Sequence, residues 1–186
     1  MRFPLVLSLF GASLAAAQPG VHQHGHALLG IAEEAGEVVV ELETPAANLL
    51  GFEHAPATAE EQAALAEVLR TLADHRNVVA LLGQRGELVC SQVESALDSA
   101  LLSEGQAHDE HHDHDHAGST AHDHDEDEHA DFHARYVLDC PDTALTGVQG
   151  RLLENFPAVL ELELQWVLEA GQGGAVLTPA RPQWRF

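Results

Sequence analysis

The sequence predicts a single α+β domain, with a mostly antiparallel sheet and two or three helices, interrupted by a disordered insertion over about residues 104–129. Three observations predict this fold class. Apolar and polar residues alternate in several short stretches that are grouped like hairpins, and a helical pattern follows each group. The insertion, in contrast, has almost nothing apolar to bury against the cost of ordering its backbone. Outside it and the leader, about 140 residues remain, enough for one domain with a core.

The first 17 residues have the pattern of a secretory signal peptide. Arg2 supplies the positive end, residues 3–14 are apolar, and Ala15 and Ala17 form an A-x-A cleavage site. We therefore expect cleavage after Ala17 and a single domain over residues 18–186. No later stretch reaches the ~18 apolar residues of a membrane span, so the mature protein is expected to be exported without one.

The first half of the mature chain predicts strands grouped as hairpins. These strands are predicted at residues 27–32, 37–43, 78–82 and 88–97, and apolar residues alternate with glutamates in the second of them. In the second strand the apolar side chains face the core, the glutamates face outward, and Pro45 ends the strand. Residues 78–82 are also compatible with an extension of the helix that precedes them.

Two helical segments are predicted in this half. Residues 46–50 form a helical turn, and Thr58 with Glu61 forms a capping box for the clearest helix in the chain. The apolar face of that helix comprises Leu65, Val68, Leu69 and Leu72. His75 follows the helix, and we expect it to cap the carboxyl end, where a cation is favoured.

The second half predicts strands at residues 132–140, 160–169 and 175–177. The second of these alternates most regularly, and in the first Cys140 is expected to point inward. Residues 145–156 predict a helix that Pro157 stops, and residues 171–174 predict a turn.

The stretch from His108 to His133 predicts metal binding. Nine of its residues are histidine and ten are Asp or Glu. Neutral imidazole is a ligand for zinc, copper, nickel and cobalt, and carboxylates attract divalent cations. The predicted ligands are His108, His111, His112, His114, His116, His122, His124, His129 and His133. The alternative interpretation is a solvated acidic linker in which histidine has no role.

A second group of histidines precedes the first strand. His22, His24 and His26 alternate, so an extended chain would place them on one face. Glu53 and His54 lie on a short loop that can converge with them if the hairpin returns the chain to its starting end. These five residues are a second predicted metal site. For His54, packing or hydrogen bonding within the loop is an equally good interpretation.

The two cysteines, Cys90 and Cys140, flank the insertion. In an oxidising compartment, two cysteines without a CxxC motif predict one disulfide, which would hold both roots of the insertion to the core. The alternative is a pair of thiolate zinc ligands, which export disfavours.

Charge and motifs exclude several classes of function. Eight Lys+Arg against 30 Asp+Glu give a formal net charge of −22, which repels nucleic acid and anionic lipid and attracts cations. The chain has no HExxH, no GxSxG and no phosphate-binding glycine-rich motif. A hydrolytic zinc site needs a fixed cavity, whereas most of the histidines lie in the predicted disordered segment. We therefore predict a binding protein and not an enzyme.

Several segments of the mature chain carry a family resemblance: HQHGHALLGIA, ELETPAANLLGFEHAP, the Cys90 region leading into the His/Asp run, FHARYVLDC, LLENFPAVLELELQWV and GQGGAVLTP. They resemble the ZrgA family of exported zinc-binding proteins, long catalogued as a domain of unknown function. The resemblance covers nearly the whole mature chain, and PAANLLGFEHAP contains its most specific part. It implies zinc binding in the periplasm in support of high-affinity zinc uptake, without implying a ligand set residue by residue.

Two functions are compatible with these predictions. One is a shuttle or chaperone that captures several zinc ions and passes them to the binding component of a zinc ABC transporter. The other is a passive periplasmic buffer for zinc, nickel, cobalt or copper(II). The uptake receptor itself would need two lobes and a longer chain. Soft sulfur ligands are lacking, which disfavours copper(I), and zinc is preferred on the resemblance.

Overall fold

The structure is a computed structural model that describes residues 23–34, 37–102, 130–140 and 144–186. The strands in this part of the chain are β1 (His26–Glu34), β2 (Glu37–Pro45), β3 (Val79–Gly83), β4 (Gly86–Glu87), β5 (Ser91–Ser99), β6 (Asp131–Asp139), β7 (Gly147–Gly150), β8 (Glu161–Leu168), β9 (Gly171–Leu177) and β10 (Gln183–Arg185). The helices are α1 (Ala46–Leu50), α2 (Ala59–Leu72) and α3 (Leu152–Asn155). The predicted signal peptide and the predicted insertion lie outside the described residues.

The strands form two sheets. The larger has the order β5-β6-β2-β1-β8-β9, and the smaller has the order β10-β7-β3-β4. Neighbouring strands are antiparallel except β1 and β8, which are parallel. The predicted α+β class with mostly antiparallel sheet is confirmed.

One core joins both sheets. The alternation predicted for β2 is confirmed, since Val38, Val40 and Leu42 are buried and the outward glutamates are exposed. Side chains of the smaller sheet, such as Leu81 and Val148, belong to the same cluster of buried apolar residues. The opposite face of the larger sheet is polar over much of its area. Its exposed positions are therefore available for other roles.

The capping box of α2 is confirmed. The Thr58 hydroxyl accepts from the Glu61 N–H at 3.1 Å, and the Glu61 carboxylate accepts from the Thr58 N–H at 2.9 Å. The backbone N–H groups of Thr58 and Ala57 both donate to the Glu61 carboxylate, and they lower the pKa of Glu61 because they stabilise its charged form.

The expectation that His75 caps the carboxyl end of α2 is wrong. His75 is buried in a short 3-10 turn, and its backbone N–H and Nδ1 both contact Oε1 of Gln92 at 3.0 Å. The carbonyls at the end of α2 accept from other side chains, since Asn77 donates to Thr71 O and Gln92 donates to Ala73 O, both at 2.9 Å. His75 is therefore held by a neutral amide inside the fold.

The single helix predicted over residues 145–156 is wrong. This segment forms β7 and the short α3, and β7 pairs with both β3 and β10. Its glycines allow this, because a Cβ at Gly147 would collide with the backbone oxygen of Trp184 and one at Gly150 with Leu162. Pairing with distant strands decides the structure of this segment.

Two predicted boundaries are also wrong. The strand expected at residues 88–97 begins at Ser91, because the Leu88 N–H donates to Leu81 O and keeps the preceding residues beside β3. The turn expected at residues 171–174 is the start of β9, where a Cβ at Gly173 would collide with the Trp166 ring. The lack of a side chain at Gly173 allows β9 to pack closely against the Trp166 ring.

The predicted Cys90–Cys140 disulfide is present. Both cysteines are half-buried and pack against the core, so Cys140 faces inward as alternation predicted, at the edge of the core. The disulfide links the start of β5 to the end of β6, where Ser91 pairs with Asp139. We call this the disulfide end of the larger sheet.

Strand β5 ends at Ser99 and is followed by a 3-10 turn at Ala100–Leu102, and Ala130 comes just before β6, both at the opposite end of the same strand pair. We call this the run end, after the histidine-rich run of residues 108–129. Leu101 and Ala130 are buried there, and the Ala46 N–H donates to Ala130 O at 2.7 Å. The expectation that the disulfide holds the two roots of the insertion is wrong, because the disulfide lies at the other end of the strand pair. Strand pairing and α1 hold them.

Candidate metal centre

The outer face of the larger sheet carries histidine and carboxylate side chains at its run end. In the register of the sheet, His133 on β6 lies opposite Glu43 on β2 and opposite Asp98 on β5. Directly opposite residues on antiparallel strands have side chains on the same face and in reach of each other. The sheet therefore brings an imidazole between two carboxylates that are remote from it in the sequence.

Three of these side chains form a compact group, the donor triad, which consists of Glu43, Asp131 and His133. One ligand atom from each residue lies within 4.8 Å of the other two. Asp131 and His133 are two residues apart on β6, so they share a face, and pairing with β2 adds Glu43. Glu43 and His133 are exposed, and Asp131 is half-buried.

His26 begins β1 on the same face and at the same end. Its Nδ1 lies 3.3 Å from Oε2 of Glu161, the first residue of β8. Parallel pairing of β1 with β8 places these two residues directly opposite each other. Both side chains are about half exposed, so the pair is open to solvent.

His24 and His54 contact different carboxylates. Nε2 of His24 lies 3.0 Å from Oε1 of Glu53, which is the convergence that the hairpin was expected to allow. Nε2 of His54 lies 3.9 Å from Oε1 of Glu61, and the His54 ring stacks on Phe52 with a centroid distance of 4.9 Å. The structure therefore brings His24 to Glu53 and joins His54 to the start of α2.

Asn48 on α1 positions the turn that carries His24. This buried side chain accepts from the Gly25 N–H at 2.6 Å and donates to His26 O at 2.7 Å and to Thr44 Oγ1 at 3.0 Å. Gly25 adopts a positive φ of 85°, which favours glycine, and its carbonyl accepts from two N–H groups at the start of β8. The histidine-containing turn is thus tied to α1 and β8.

These features agree with the comparison to known families. The model of the ZrgA family zinc uptake protein matches residues 21–186. The chain belongs to the ZrgA family of zinc uptake proteins. No individual curated protein matches it.

Membership of the ZrgA family gives the protein a role in zinc uptake and associates it with zinc. The family and the disulfide both indicate an exported protein. Among the described residues, no helix is long and apolar enough to cross a membrane.

The structure describes some of the predicted ligands and not others. His24, His26, Glu53, His54 and His133 are described and lie in the pairs and the triad given above. The other predicted ligands lie outside the described residues: His22, His108, His111, His112, His114, His116, His122, His124 and His129.

Sequence reasoning missed Glu43, Asp131, Glu161 and the positioning residue Asn48. Glu43 was recognised as outward-facing, and alternation also placed His133 outward, but only the β2–β6 register joins them. Asn48 lies inside the PAANLLGFEHAP segment that carried the family resemblance. A polar residue among small apolar ones was the available signal of a buried hydrogen-bonding role.

Few protein cations lie near this surface. All eight basic residues of the chain are arginines, so the chain has no lysine. Arg135, on the same face of β6, lies 3.5 Å from Glu41 and 3.8 Å from Glu94. The carboxylates at the run end thus favour binding of cations from solution.

Proposed function

We propose that this protein captures zinc in the periplasm and passes it to the binding component of a zinc transporter. One observation carries the proposal. Both roots of the histidine-rich run emerge at the end of the larger sheet where His26, His133 and their carboxylate neighbours lie. Zinc collected by the run is then held beside ligands on a folded surface.

The proposed ligands fall into two classes. His24, His26, Glu53 and His54 belong to a structured turn and loop, and with His22, which comes just before the turn in the sequence, they provide tight binding because little chain must be ordered around the ion. The histidines of residues 108–129 provide several weaker sites, because binding there must order a segment without a core. The contact between His24 and Glu53, held by Asn48, supports the first class.

Zinc is the proposed cargo, and it fits this set of ligands. Imidazole and carboxylate suit zinc, and the cysteines are joined in a disulfide and cannot provide thiolates. Copper(II), nickel and cobalt accept the same donors. The family supports zinc among them.

The test separates the two ligand classes within the full chain. Replacing the eight histidines of residues 108–129 with glutamine keeps the length and the acidic residues of the run. Native mass spectrometry should then show fewer zinc ions per chain, while competition with a chelator finds the tightest affinity unchanged. Loss of the tight site in this variant would contradict the division into two classes.

Hand-off is tested by kinetics. Loading of the tight site under scarce zinc, followed by stopped flow, should be slower in the glutamine variant because ions are no longer gathered nearby. Zinc transfer to the purified transporter component should proceed through an isolable complex. Equal loading rates and transfer through free zinc alone would identify a passive buffer.

A further inference from the structure

We propose that Glu43, Asp131 and His133 form a fixed zinc site with three protein ligands and an open fourth position. The site is separate from the amino-terminal turn and from residues 108–129. It deepens the proposed function and rests on it for the identity of the ion. The placement of the ligands rests on the sheet.

The first argument is geometric. Zinc–nitrogen and zinc–oxygen bonds are about 2.0–2.2 Å long, so any two ligands of a tetrahedral site lie about 3.4 Å apart. The three ligand atoms of the triad lie within 4.8 Å of one another, close to that spacing. Small side-chain rotations bring the triad to that spacing. Two of its members are fixed by adjacent positions on one face of β6, and the third by the paired strand β2. The backbone is therefore ordered before the ion arrives.

The second argument is electrostatic. Glu43 and Asp131 place two carboxylates beside one imidazole, so both negative charges attract a cation at the same point. Asp98, directly opposite His133 on β5, adds a further negative charge to this surface. Arg135, on the same face, lies beside Glu41 and Glu94. A divalent ion at the triad is attracted by these carboxylates together.

The third argument concerns access. Glu43 and His133 line a cleft of about 510 Å³ on the outer face of the sheet, together with Asp98 and Arg135, whereas Asp131 lies outside its lining. An ion at the triad would therefore lie at the edge of this cleft, beside two exposed ligands. Three protein ligands with an open position are typical of zinc sites that exchange their fourth ligand, whereas structural sites are closed by four. The triad is suited to an ion that must leave again.

The experiment observes His133 directly. Long-range proton–nitrogen NMR spectra of the full chain, with the eight histidines of residues 108–129 replaced by glutamine, resolve the remaining imidazoles, and His133→Gln assigns its signals. Zinc should shift one ring nitrogen of His133 in a saturable way. Glu43→Gln and Asp131→Asn should each weaken that response at least about 100-fold, since losing even an outer-shell partner typically costs 10–100-fold.

Glu163→Gln is the matched control. Glu163 is an exposed carboxylate on the same sheet face, two strands from Glu43, and its removal should leave the His133 response unchanged. An unresponsive His133 signal, or equal affinity in the Glu43 and Asp131 variants, would overturn the inference. Zinc shifts confined to His24, His26 and His54 would overturn the triad while leaving the proposed function intact. Absence of zinc binding by the unmodified chain would instead overturn the proposed function.

Discussion

Each end of the β5–β6 strand pair has a histidine, but the groups around the two histidines differ. At the disulfide end, His75 is buried and Gln92, a neutral amide, accepts from its backbone N–H and contacts its ring at 3.0 Å, while the Asp74 carboxylate, 3.8 Å from the ring, is paired with Arg76. At the run end, His133 is exposed and its neighbours are the carboxylates of Glu43 and Asp131. An amide satisfies an imidazole without attracting cations, whereas carboxylates attract the ions that imidazole binds. The partner of a histidine thus distinguishes a structural role from a proposed ligand role.

The largest expected effect concerns the disulfide end. Replacing Cys90 and Cys140 with serine removes a cross-link with a sequence separation of 50. The chain-entropy model gives a loss of about 4 kcal/mol in the free energy of unfolding, to be measured by urea denaturation. Zinc binding by the folded fraction should persist, because strand pairing holds the run end. Loss of zinc binding at urea concentrations where the variant remains folded would show that the two ends are coupled.

Asn48→Ala should affect the run end and stability together. It leaves the buried Gly25 N–H without its acceptor and removes two donated hydrogen bonds, so we expect a loss of about 2–3 kcal/mol in the free energy of unfolding. Chelator competition should also show weaker binding at the amino-terminal turn. Thr44→Val, which removes the acceptor of one bond that Asn48 donates and keeps the acceptor for the Gly25 N–H, is the matched control and should be less damaging. Equal effects of Asn48→Ala and Thr44→Val would contradict the role assigned to the bond from Gly25.

Replacing histidine with glutamine at each end compares the roles of His75 and His133 directly. His75→Gln should lower the free energy of unfolding by about 2 kcal/mol, because it disturbs a buried hydrogen-bonded site, and leave zinc binding unchanged. His133→Gln should change stability by no more than about 0.5 kcal/mol, as is usual for exposed residues, and weaken zinc binding. Denaturation and metal titration of both variants measure this. If both lost zinc, or both lost stability, the distinction between the ends would fail.

Tyr136 lies on β6 between the two ends and provides the smallest effect. Its hydroxyl donates to Leu72 O at 2.6 Å, and Tyr136→Phe should cost about 1 kcal/mol. Burial, and to a lesser degree the charge of Asp74, raises the pKa of Tyr136. The unfolded chain therefore loses this proton near pH 10 while the folded chain keeps it, so this contribution is complete below pH 10 and declines above it.

Urea denaturation between about pH 8 and 11 should reveal that decline in the unmodified protein. Tyr136→Phe should be less sensitive to pH over the same interval, with unchanged zinc binding. The same slope in both proteins would contradict the assignment to Tyr136.

The fold was predictable where the signal was local. Alternation in β2 and β8, the Thr58–Glu61 capping box and the cysteine pair were all recognised from nearby residues. The segment at residues 145–156 was misassigned because its apolar pattern fits a helix, while its strand depends on pairing with β3 and β10. Neither partner is close to it in the sequence.

The candidate site was predictable in composition but not in arrangement. Histidine content indicated metal binding, and the contact of His24 with Glu53 followed from the hairpin. The inclusion of Glu43 and Asp131 required the β2–β6 register, and a shift by one residue would move Glu43 to the other face. Sequence alone does not supply that register.

The parallel pairing of β1 with β8 determines when the larger sheet can be completed during synthesis of the chain. β1 is an interior strand of the larger sheet, yet one of its neighbours comes from the last part of the chain. Until β8 is available, β5, β6, β2 and β1 can pair with one another, but β1 lies at the edge of that sheet with one row of backbone groups unpaired. Contacts between such remote segments also slow folding, because the chain between them must be closed first. The complete sheet therefore forms only after nearly the whole polypeptide has emerged, and a chain truncated before β8 should leave β1 open to pairing with other strands.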